Sequence, residues 1–224
     1  VQAHSALLAM TDAELDAAVD AAVSKAVAAM AAGKPRTFTA RFEAIEKTRL
    51  ADLVKEWLAL EKKRAPFTVK DREKERYITI GGFLLRTVVD RIDCLTAGAG
   101  SKPPGGRLVL IDYKTNQPRL RDWFTERMAE PQLPLYATAL EDPLAGVLFA
   151  RVRKGEVGFI GVSEEADIAP GVQVLGDEKK LAGDFADISE LLEAWRGKLE
   201  RLAEEIRSGH AAVQPETDHG RTDT

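Results

Sequence analysis

The sequence predicts an α/β fold in which helices at both ends of the chain enclose a set of β-strands. Apolar residues recur at helical spacing over residues 12–32 and again over residues 187–208. Between these ends, β-branched and aromatic residues form short runs separated by Gly and Pro, a pattern typical of strands and turns. We therefore predict one domain over residues 1–210, with a helical part (1–64), a sheet and core (66–162) and a C-terminal helix (187–208). The polar residues 211–224 are predicted to be a disordered tail.

Composition and charge narrow the functional class. With 224 residues, of which 45% are hydrophobic, the chain can bury one sizeable core. Its formal net charge of −4 excludes a protein that coats nucleic acid through its overall charge, so DNA would have to meet a local basic surface. The single cysteine, Cys94, excludes an intrachain disulfide, and an iron–sulfur cluster cannot be built from this chain alone.

The sequence carries no sign of a membrane protein or of a secreted one. No apolar run approaches the roughly 18 residues of a membrane span, and no signal-peptide pattern opens the chain. We therefore predict a cytoplasmic protein without a membrane partner. Because the chain begins with Val1 rather than Met, we expect it to be a fragment of a longer protein.

Local signals divide the chain into elements. Thr11 followed by Glu14 is a capping box, which predicts a short helix near residues 4–10 and a longer one from residue 12. A third helix is predicted over residues 39–64, a short one opens at residues 130–137, and Ser189 is a candidate N-cap of the last. Strands are predicted at residues 66–69, 77–80, 83–93, 108–114, 146–153 and 156–162. Residues 163–186 are predicted to form an irregular surface loop.

Acidic and basic groups stand on two of these strands, where core residues would be expected. Asp112 and Lys114 are two residues apart, so their side chains project from one face of a strand. With a further Asp nearby they would form a divalent-metal site, in which the ammonium orients or deprotonates a water for phosphodiester hydrolysis. The alternative is a solvated strand edge with a surface ion pair. Gln132 and Tyr136 are four residues apart and share one helix face.

In this order, Asp90, the stretch Asp112-Tyr113-Lys114-Thr115 and the pair Gln132 and Tyr136 resemble the PD-(D/E)XK nuclease superfamily, specifically its RecB/AddB-like exonuclease domain. The resemblance covers residues 4–215. It implies a restriction-endonuclease-like α/β fold, with a central mixed β-sheet flanked by α-helices. It also implies a metal-dependent deoxyribonuclease of DNA repair or recombination, within a larger helicase–nuclease-type protein that binds single- or double-stranded DNA.

The resemblance assigns metal ligands residue by residue. Asp90, Asp112 and the backbone carbonyl of Tyr113 are expected to bind Mg²⁺ or Mn²⁺. Asp93 is the alternative to Asp90, because a β-bulge would reverse which of the two faces the site. The segment Gln2-Ala3-His4-Ser5-Ala6-Leu7-Leu8 matches the family's histidine motif, so His4 is a candidate further ligand. The alternative for His4 is a terminal histidine without a role.

The same resemblance assigns catalytic roles. Metal and Lys114 together are expected to lower the pKa of the attacking water and to neutralise charge in the transition state. Gln132 and Tyr136 are expected to position the scissile phosphate or an adjacent base. Some relatives hold an iron–sulfur cluster through cysteines that flank these motifs. No cysteine follows Pro215 in this chain, so either the parent protein lacks the cluster or the fragment omits its ligands.

A basic stretch precedes the Gln132 helix. Arg119, Arg121 and Arg127 alternate with Trp123, a combination that suits phosphate contact and base stacking on single strands. The alternative is that these arginines pair with neighbouring acidic residues. Two other functions also stay open: a catalytically silent DNA-binding or scaffold domain, and a different metal-dependent hydrolase.

Overall fold

A computed structural model describes residues 2–96, 106–177 and 179–210. Within them the chain forms one six-stranded sheet with helices on both faces, which confirms the predicted α/β fold with a central mixed sheet. The helices are α1 (His4–Ala9), α2 (Asp12–Gly33), α3 (Ala40–Glu61), α4 (Gln132–Thr138) and α5 (Ile188–Arg207). The strands are β1 (Phe67–Ile80), β2 (Phe83–Leu95), β3 (Leu108–Lys114), β4 (Leu144–Arg151), β5 (Gly158–Ser163) and β6 (Gln173–Val174). Residues 97–105 and residues 211–224, for which a disordered tail is predicted, lie outside the described residues.

The strands lie in the sheet in their chain order. Pairing is antiparallel from β1 to β3 and between β4 and β5, and parallel between β3 and β4 and between β5 and β6. The parallel step from β3 to β4 requires a crossover connection, and this connection contains α4. α4 therefore packs on one face of the sheet, in the connection that follows the end of β3.

Two apolar layers cover the sheet. Alternate residues of β3 point to opposite faces: Leu108 and Leu110 join the core beneath α4 and α5, whereas Val109 and Ile111 join the core beneath α3. Because both faces are covered, β3 and β4 are buried along most of their length, as their continuous apolar sequence indicates.

The helix ends follow their predicted signals, with one correction. Thr11 and Glu14 form the predicted capping box, and Thr39 caps α3 by accepting from Phe42 N–H. For α5 the N-cap is Asp187, whose carboxylate accepts from Glu190 N–H at 2.9 Å, and not Ser189. An Asp at this position satisfies an N–H of the first turn and also opposes the positive end of the helix dipole. No helix within the described ranges is long and apolar enough to cross a bilayer.

β1 and β2 form a long hairpin that extends past the sheet. β1 is one continuous strand, and its turn to β2 uses Gly81 and Gly82, both with positive φ. β2 pairs with β3 only over residues 91–94, so the rest of β2 pairs with β1 alone. Glu73 lies between the Arg72–Arg91 and Lys74–Val89 pairs and has a φ of 46°. This strained residue lies opposite Asp90.

Candidate active site

The end of β3 brings Asp112 and Lys114 together. The Asp112 side chain is buried, the Lys114 side chain is half-buried, and Lys114 Nζ lies 2.8 Å from Asp112 Oδ2. Both lie on the face of β3 that packs toward α4. At this distance the Lys114 ammonium and the Asp112 carboxylate form an ion pair.

Asp90 reaches this pair from the neighbouring strand. The last paired residues of β2 and β3 are Arg91 and Ile111, and beyond them the two strands separate. At that point Asp90 Oδ2 accepts a hydrogen bond from the backbone N–H of Tyr113 at 2.8 Å. The Asp90 side chain therefore replaces the next bond of the ladder and lies beside the strand end that carries Asp112 and Lys114.

The electrostatics of the pair indicate an excess of negative charge. Burial raises the pKa of Asp112; the Lys114 ammonium opposes this shift, and the negative charges of Asp90 and Glu130 add to it. Partial burial alone would lower the pKa of Lys114, but Asp112, Glu130 and Asp90 outweigh it and the pKa is raised. Lys114 is therefore an ammonium ion at neutral pH in a site that attracts a further cation.

Glu130 is the residue that the sequence analysis missed. It is not among the site residues that the sequence predicts, yet its charge acts on both Asp112 and Lys114. The available signal was its position two residues before Gln132, at the start of a helix predicted to face the site.

α4 places the Gln132 and Tyr136 pair as predicted. Gln132 Nε2 donates to the Tyr136 hydroxyl at 3.0 Å, which the four-residue spacing on one helix face allows. Tyr136 is buried in the core beneath α4, whereas Gln132 is exposed. Of the two, Gln132 is the side chain that a substrate can contact directly.

His4 lies apart from the two aspartates. Its ring is buried against Phe67, with ring centroids 5.3 Å apart, and its Nε2 lies 3.2 Å from the carbonyl of Lys62. In the part of the chain that the structure describes, no three His, Cys, Asp or Glu side chains converge at metal-binding distance. The structure therefore does not bring His4, Asp90 and Asp112 together as one ligand set, and the contacts of His4 are those of a packed core histidine.

Asp93 is committed to a different set of contacts. It is fully buried, receives two hydrogen bonds from Arg91 at 2.7 and 2.9 Å, and receives one from Arg64 at 2.8 Å. Both arginines also donate to the buried carboxylate of Glu61. The alternative assignment of Asp93 as metal ligand is therefore wrong on this structure, because two guanidinium groups already occupy its oxygens. We call Glu61, Arg64, Arg91 and Asp93 the buried ion network.

The basic stretch before α4 divides between surface and core. Trp123 is 0% exposed and packs against Phe149 and Trp195, with ring centroids 4.7 and 5.4 Å away. Its predicted stacking on DNA bases is therefore wrong. Arg119 donates to Asp122 at 3.3 Å, as the ion-pair alternative predicted. Arg121 and Arg127 are exposed, and Arg121 forms no ion pair with a described residue.

The residues present fit a divalent cation. Asp112 offers a buried carboxylate, Asp90 offers a second carboxylate, and the surrounding negative charge exceeds the single ammonium of Lys114. Carboxylate and carbonyl oxygens are the ligands that hard cations prefer, and Mg²⁺ keeps several waters, so two carboxylates and the Tyr113 carbonyl suffice.

Comparisons with known proteins agree with this geometry. A search of curated proteins gives no significant match. A family model, that of the PD-(D/E)XK nuclease superfamily, matches residues 2–221, which is nearly the whole chain. On this match, and with the mixed sheet that brings Asp90, Asp112 and Lys114 to one strand end, the chain belongs to the PD-(D/E)XK nuclease superfamily.

Proposed function

We propose that this chain is a Mg²⁺- or Mn²⁺-dependent deoxyribonuclease that degrades DNA from an end, like the RecB/AddB-like exonuclease domains, and serves DNA repair or recombination beside a helicase. The observation that carries the proposal is the meeting of Asp90, Asp112 and Lys114 where β2 and β3 separate. A structural ion pair between Asp112 and Lys114 would not need the second carboxylate, that of Asp90, beside it.

Asp90, Asp112 and the Tyr113 carbonyl would hold the metal. When bound, a divalent cation supplies Lewis-acid activation of water and charge neutralisation at the phosphate. The chain prepares this site by holding Asp90 to the β3 backbone at 2.8 Å and by burying Asp112. Two carboxylates fixed by strands hold their geometry better than two on loops, because strand backbones are restrained by their neighbours.

Lys114 contributes a fixed positive charge. Since its pKa is raised, its Nζ keeps its proton at neutral pH and donates hydrogen bonds. A donor at that position can orient the attacking water and stabilise negative charge that develops on the phosphate oxygens. Gln132 is exposed on α4 and donates to Tyr136, and it would contact the phosphate or the adjacent base.

The experiment is degradation of linear single-stranded and double-stranded DNA in Mg²⁺ and in Mn²⁺, comparing the native chain with Asp112→Ala and Lys114→Ala. We expect both substitutions to lower metal-dependent cleavage by at least about 10²-fold, the usual size of a lost charge-stabilising group. The same assay is run on covalently closed circular single-stranded and double-stranded DNA. An exonuclease needs a DNA end and should leave these circles uncut, whereas cleavage of the circles would establish an endonuclease instead.

The chain offers a matched control pair. Lys55 Nζ lies 2.8 Å from Asp16 Oδ1, the same distance as in the Lys114–Asp112 pair, but both side chains are exposed on α2 and α3. Asp16→Ala and Lys55→Ala should leave cleavage unchanged. If the native chain binds DNA but cuts none of these substrates, and Asp112→Ala binds it equally well, the chain is a silent DNA-binding domain and the proposal fails.

A further inference from the structure

The Arg91 guanidinium uses all of its N–H groups. Its Nε and Nη2 donate to Asp93 at 2.7 and 2.9 Å, and its Nη1 and Nη2 donate to Glu61 at 3.3 and 3.1 Å. The second N–H of Nη1 donates to the hydroxyl of Tyr113 at 3.0 Å. A guanidinium group has five donors in one planar fork, so the four bonds within the buried ion network fix the direction of the fifth. The Tyr113 hydroxyl therefore has a partner that cannot turn away.

This bond connects β2 to β3 beyond the end of their ladder. Arg91 and Ile111 are the last backbone pair, and Tyr113 lies two residues further along β3. At its end, β3 still pairs with β4 as far as Lys114, whereas β2 before Arg91 pairs with β1 alone. The distance between β2 and the end of β3 is therefore set by side-chain bonds rather than by the sheet.

Tyr113 takes part in two such bonds, with consecutive residues of β2. Its backbone N–H donates to the Asp90 carboxylate at 2.8 Å, and its hydroxyl accepts from Arg91 at 3.0 Å. One bond between two strands is a pivot, whereas two bonds to atoms at opposite ends of one residue also restrain rotation. Asp90 is therefore restrained against the strand end that carries Asp112 only while both bonds are present.

We propose that Tyr113 is a positioning residue: through the hydrogen bond of its hydroxyl with Arg91, it holds Asp90 beside Asp112 so that both carboxylates can bind one divalent cation. The inference rests on the proposed function and gives the Tyr113 side chain a role, whereas only the backbone carbonyl of this residue was expected to act. Groups that orient metal ligands commonly change metal affinity by about 10- to 100-fold. Glu61 ends α3, so the helical part of the chain reaches the site through Arg91.

Tyr113→Phe removes this bond and little else. The variant keeps the backbone N–H that holds Asp90, and it keeps the ring that packs edge to face on Trp57, with centroids 5.8 Å apart. The control is Tyr77→Phe, because the Tyr77 hydroxyl donates to Glu75 at 2.8 Å on the exposed surface of β1. Each variant therefore loses one hydrogen bond between a phenol and a charged group, and only one of the two bonds lies at the site.

The readout is the binding of Mn²⁺ itself, measured without DNA by the loss of the electron paramagnetic resonance signal of the free ion. We expect the dissociation constant to rise about tenfold in Tyr113→Phe and to stay at the native value in Tyr77→Phe. Asp112→Asn should abolish the binding, which shows that the titration reports the candidate active site. In the presence of a chelator, both tyrosine variants should melt within roughly 4 °C of the native chain, because a single hydrogen bond contributes little to the stability of a chain of this size.

Cleavage separates a positioning role from a catalytic one. We expect Tyr113→Phe to need about tenfold more Mn²⁺ for half of its maximal rate, and to reach the native maximal rate and the native KM for DNA at saturating Mn²⁺. A residue that only packs the fold would leave the Mn²⁺ requirement unchanged. A residue that contacts the reacting atoms would lower the rate even at saturating Mn²⁺. Either of these results would contradict the positioning role.

The binding titration can overturn the proposal by itself. It does so if Tyr113→Phe binds Mn²⁺ as tightly as the native chain, or if the native chain binds none. It also does so if Tyr77→Phe loses the same affinity, since the effect would then not depend on the site, or if Asp112→Asn keeps the binding, since the ion would then lie elsewhere. Failure of the proposed function is read separately, because it appears as a native chain that binds Mn²⁺ and cuts no DNA, whatever the affinities of the variants.

Discussion

The backbone N–H of Tyr113 donates to Asp90 Oδ2 at 2.8 Å across the gap where β2 and β3 stop pairing. The Asp90 side chain therefore has two roles, one structural and one in the candidate active site. It satisfies a strand N–H that has no partner in the β2–β3 ladder, and it holds the Asp90 carboxylate beside the strand end that carries Asp112. Loss of activity on replacing Asp90 could therefore come from loss of metal binding or from movement of β3.

Asp90→Asn and Asp90→Ala separate these two effects. Asn keeps a carbonyl oxygen that can accept from Tyr113 N–H, so its free energy of unfolding should stay within about 0.5 kcal/mol of the native value. Ala removes the acceptor and should cost about 0.5–1.5 kcal/mol. Both should abolish metal-dependent cleavage. Urea unfolding and the cleavage assay measure the two effects, and substantial activity in Asp90→Asn would remove Asp90 from the metal ligands.

Asp93→Asn should damage the fold. Asp93 accepts from Arg64 and Arg91 in the buried ion network, and removing one charge leaves buried guanidinium groups uncompensated. We expect a loss of about 3–5 kcal/mol in the free energy of unfolding. Glu46→Gln, which breaks the exposed ion pair with Arg49, should cost at most about 1 kcal/mol. Denaturant unfolding tests both, and a loss under about 1 kcal/mol for Asp93→Asn would contradict the network.

The site could be predicted from the sequence where residue spacing within one strand or one helix was sufficient. Asp112 and Lys114 share a strand face by alternation, and Gln132 and Tyr136 share a helix face by spacing, so neither pair required the tertiary fold. Asp90 and Asp93 could be placed on opposite faces but not assigned. Arg64, which donates to Asp93, and Glu61, which accepts from the same two arginines as Asp93, come about thirty residues earlier in the chain.

Trp123 was misplaced for a similar reason. It lies in a 3₁₀ helix of four residues, Leu120–Trp123, which is too short to show a periodic apolar face. The neighbouring arginines made the stretch resemble a surface. Its burial depends on Phe149 of β4 and Trp195 of α5, which only the tertiary fold brings to it.

Glu73→Gly should lower the free energy of unfolding less than Lys74→Gly does. Glu73 has a φ of 46°, which costs a residue with a side chain about 1 kcal/mol or more and costs glycine almost nothing. This gain offsets the roughly 0.5–1 kcal/mol that glycine loses through the entropy of the unfolded chain. Lys74→Gly, one position along the same strand, has no such gain. Urea unfolding should rank Glu73→Gly about 1 kcal/mol or more above Lys74→Gly, and the reverse order would contradict the strained backbone.

Arg121→Ala should weaken DNA binding through charge alone. Arg121 is exposed in the 3₁₀ helix Leu120–Trp123 and forms no ion pair with a described residue, so a phosphate contact would release one counterion. We expect weaker binding for all sequences and a slope of log K against log salt reduced by about 1. Anisotropy titrations over a range of salt concentrations measure this slope. Arg49→Ala, on the distant helix α3, is the control, and an unchanged slope in Arg121→Ala would remove Arg121 from the interface.

Mn²⁺ should stabilise the native chain through Asp112. Burial and the nearby charges of Asp90 and Glu130 disfavour the Asp112 carboxylate, and a cation at this site reverses that effect. At about 100 times its dissociation constant, the ion should add about 2.7 kcal/mol, which corresponds to a rise in melting temperature of roughly 5–10 °C for a chain of this size. Calorimetry with and without a chelator measures the rise. Asp112→Asn should lose it and Asp16→Asn should keep it, because Asp16 is exposed on α2. An equal rise in Asp112→Asn would show that the ion binds elsewhere, and the assignment of Asp112 as a metal ligand would be withdrawn.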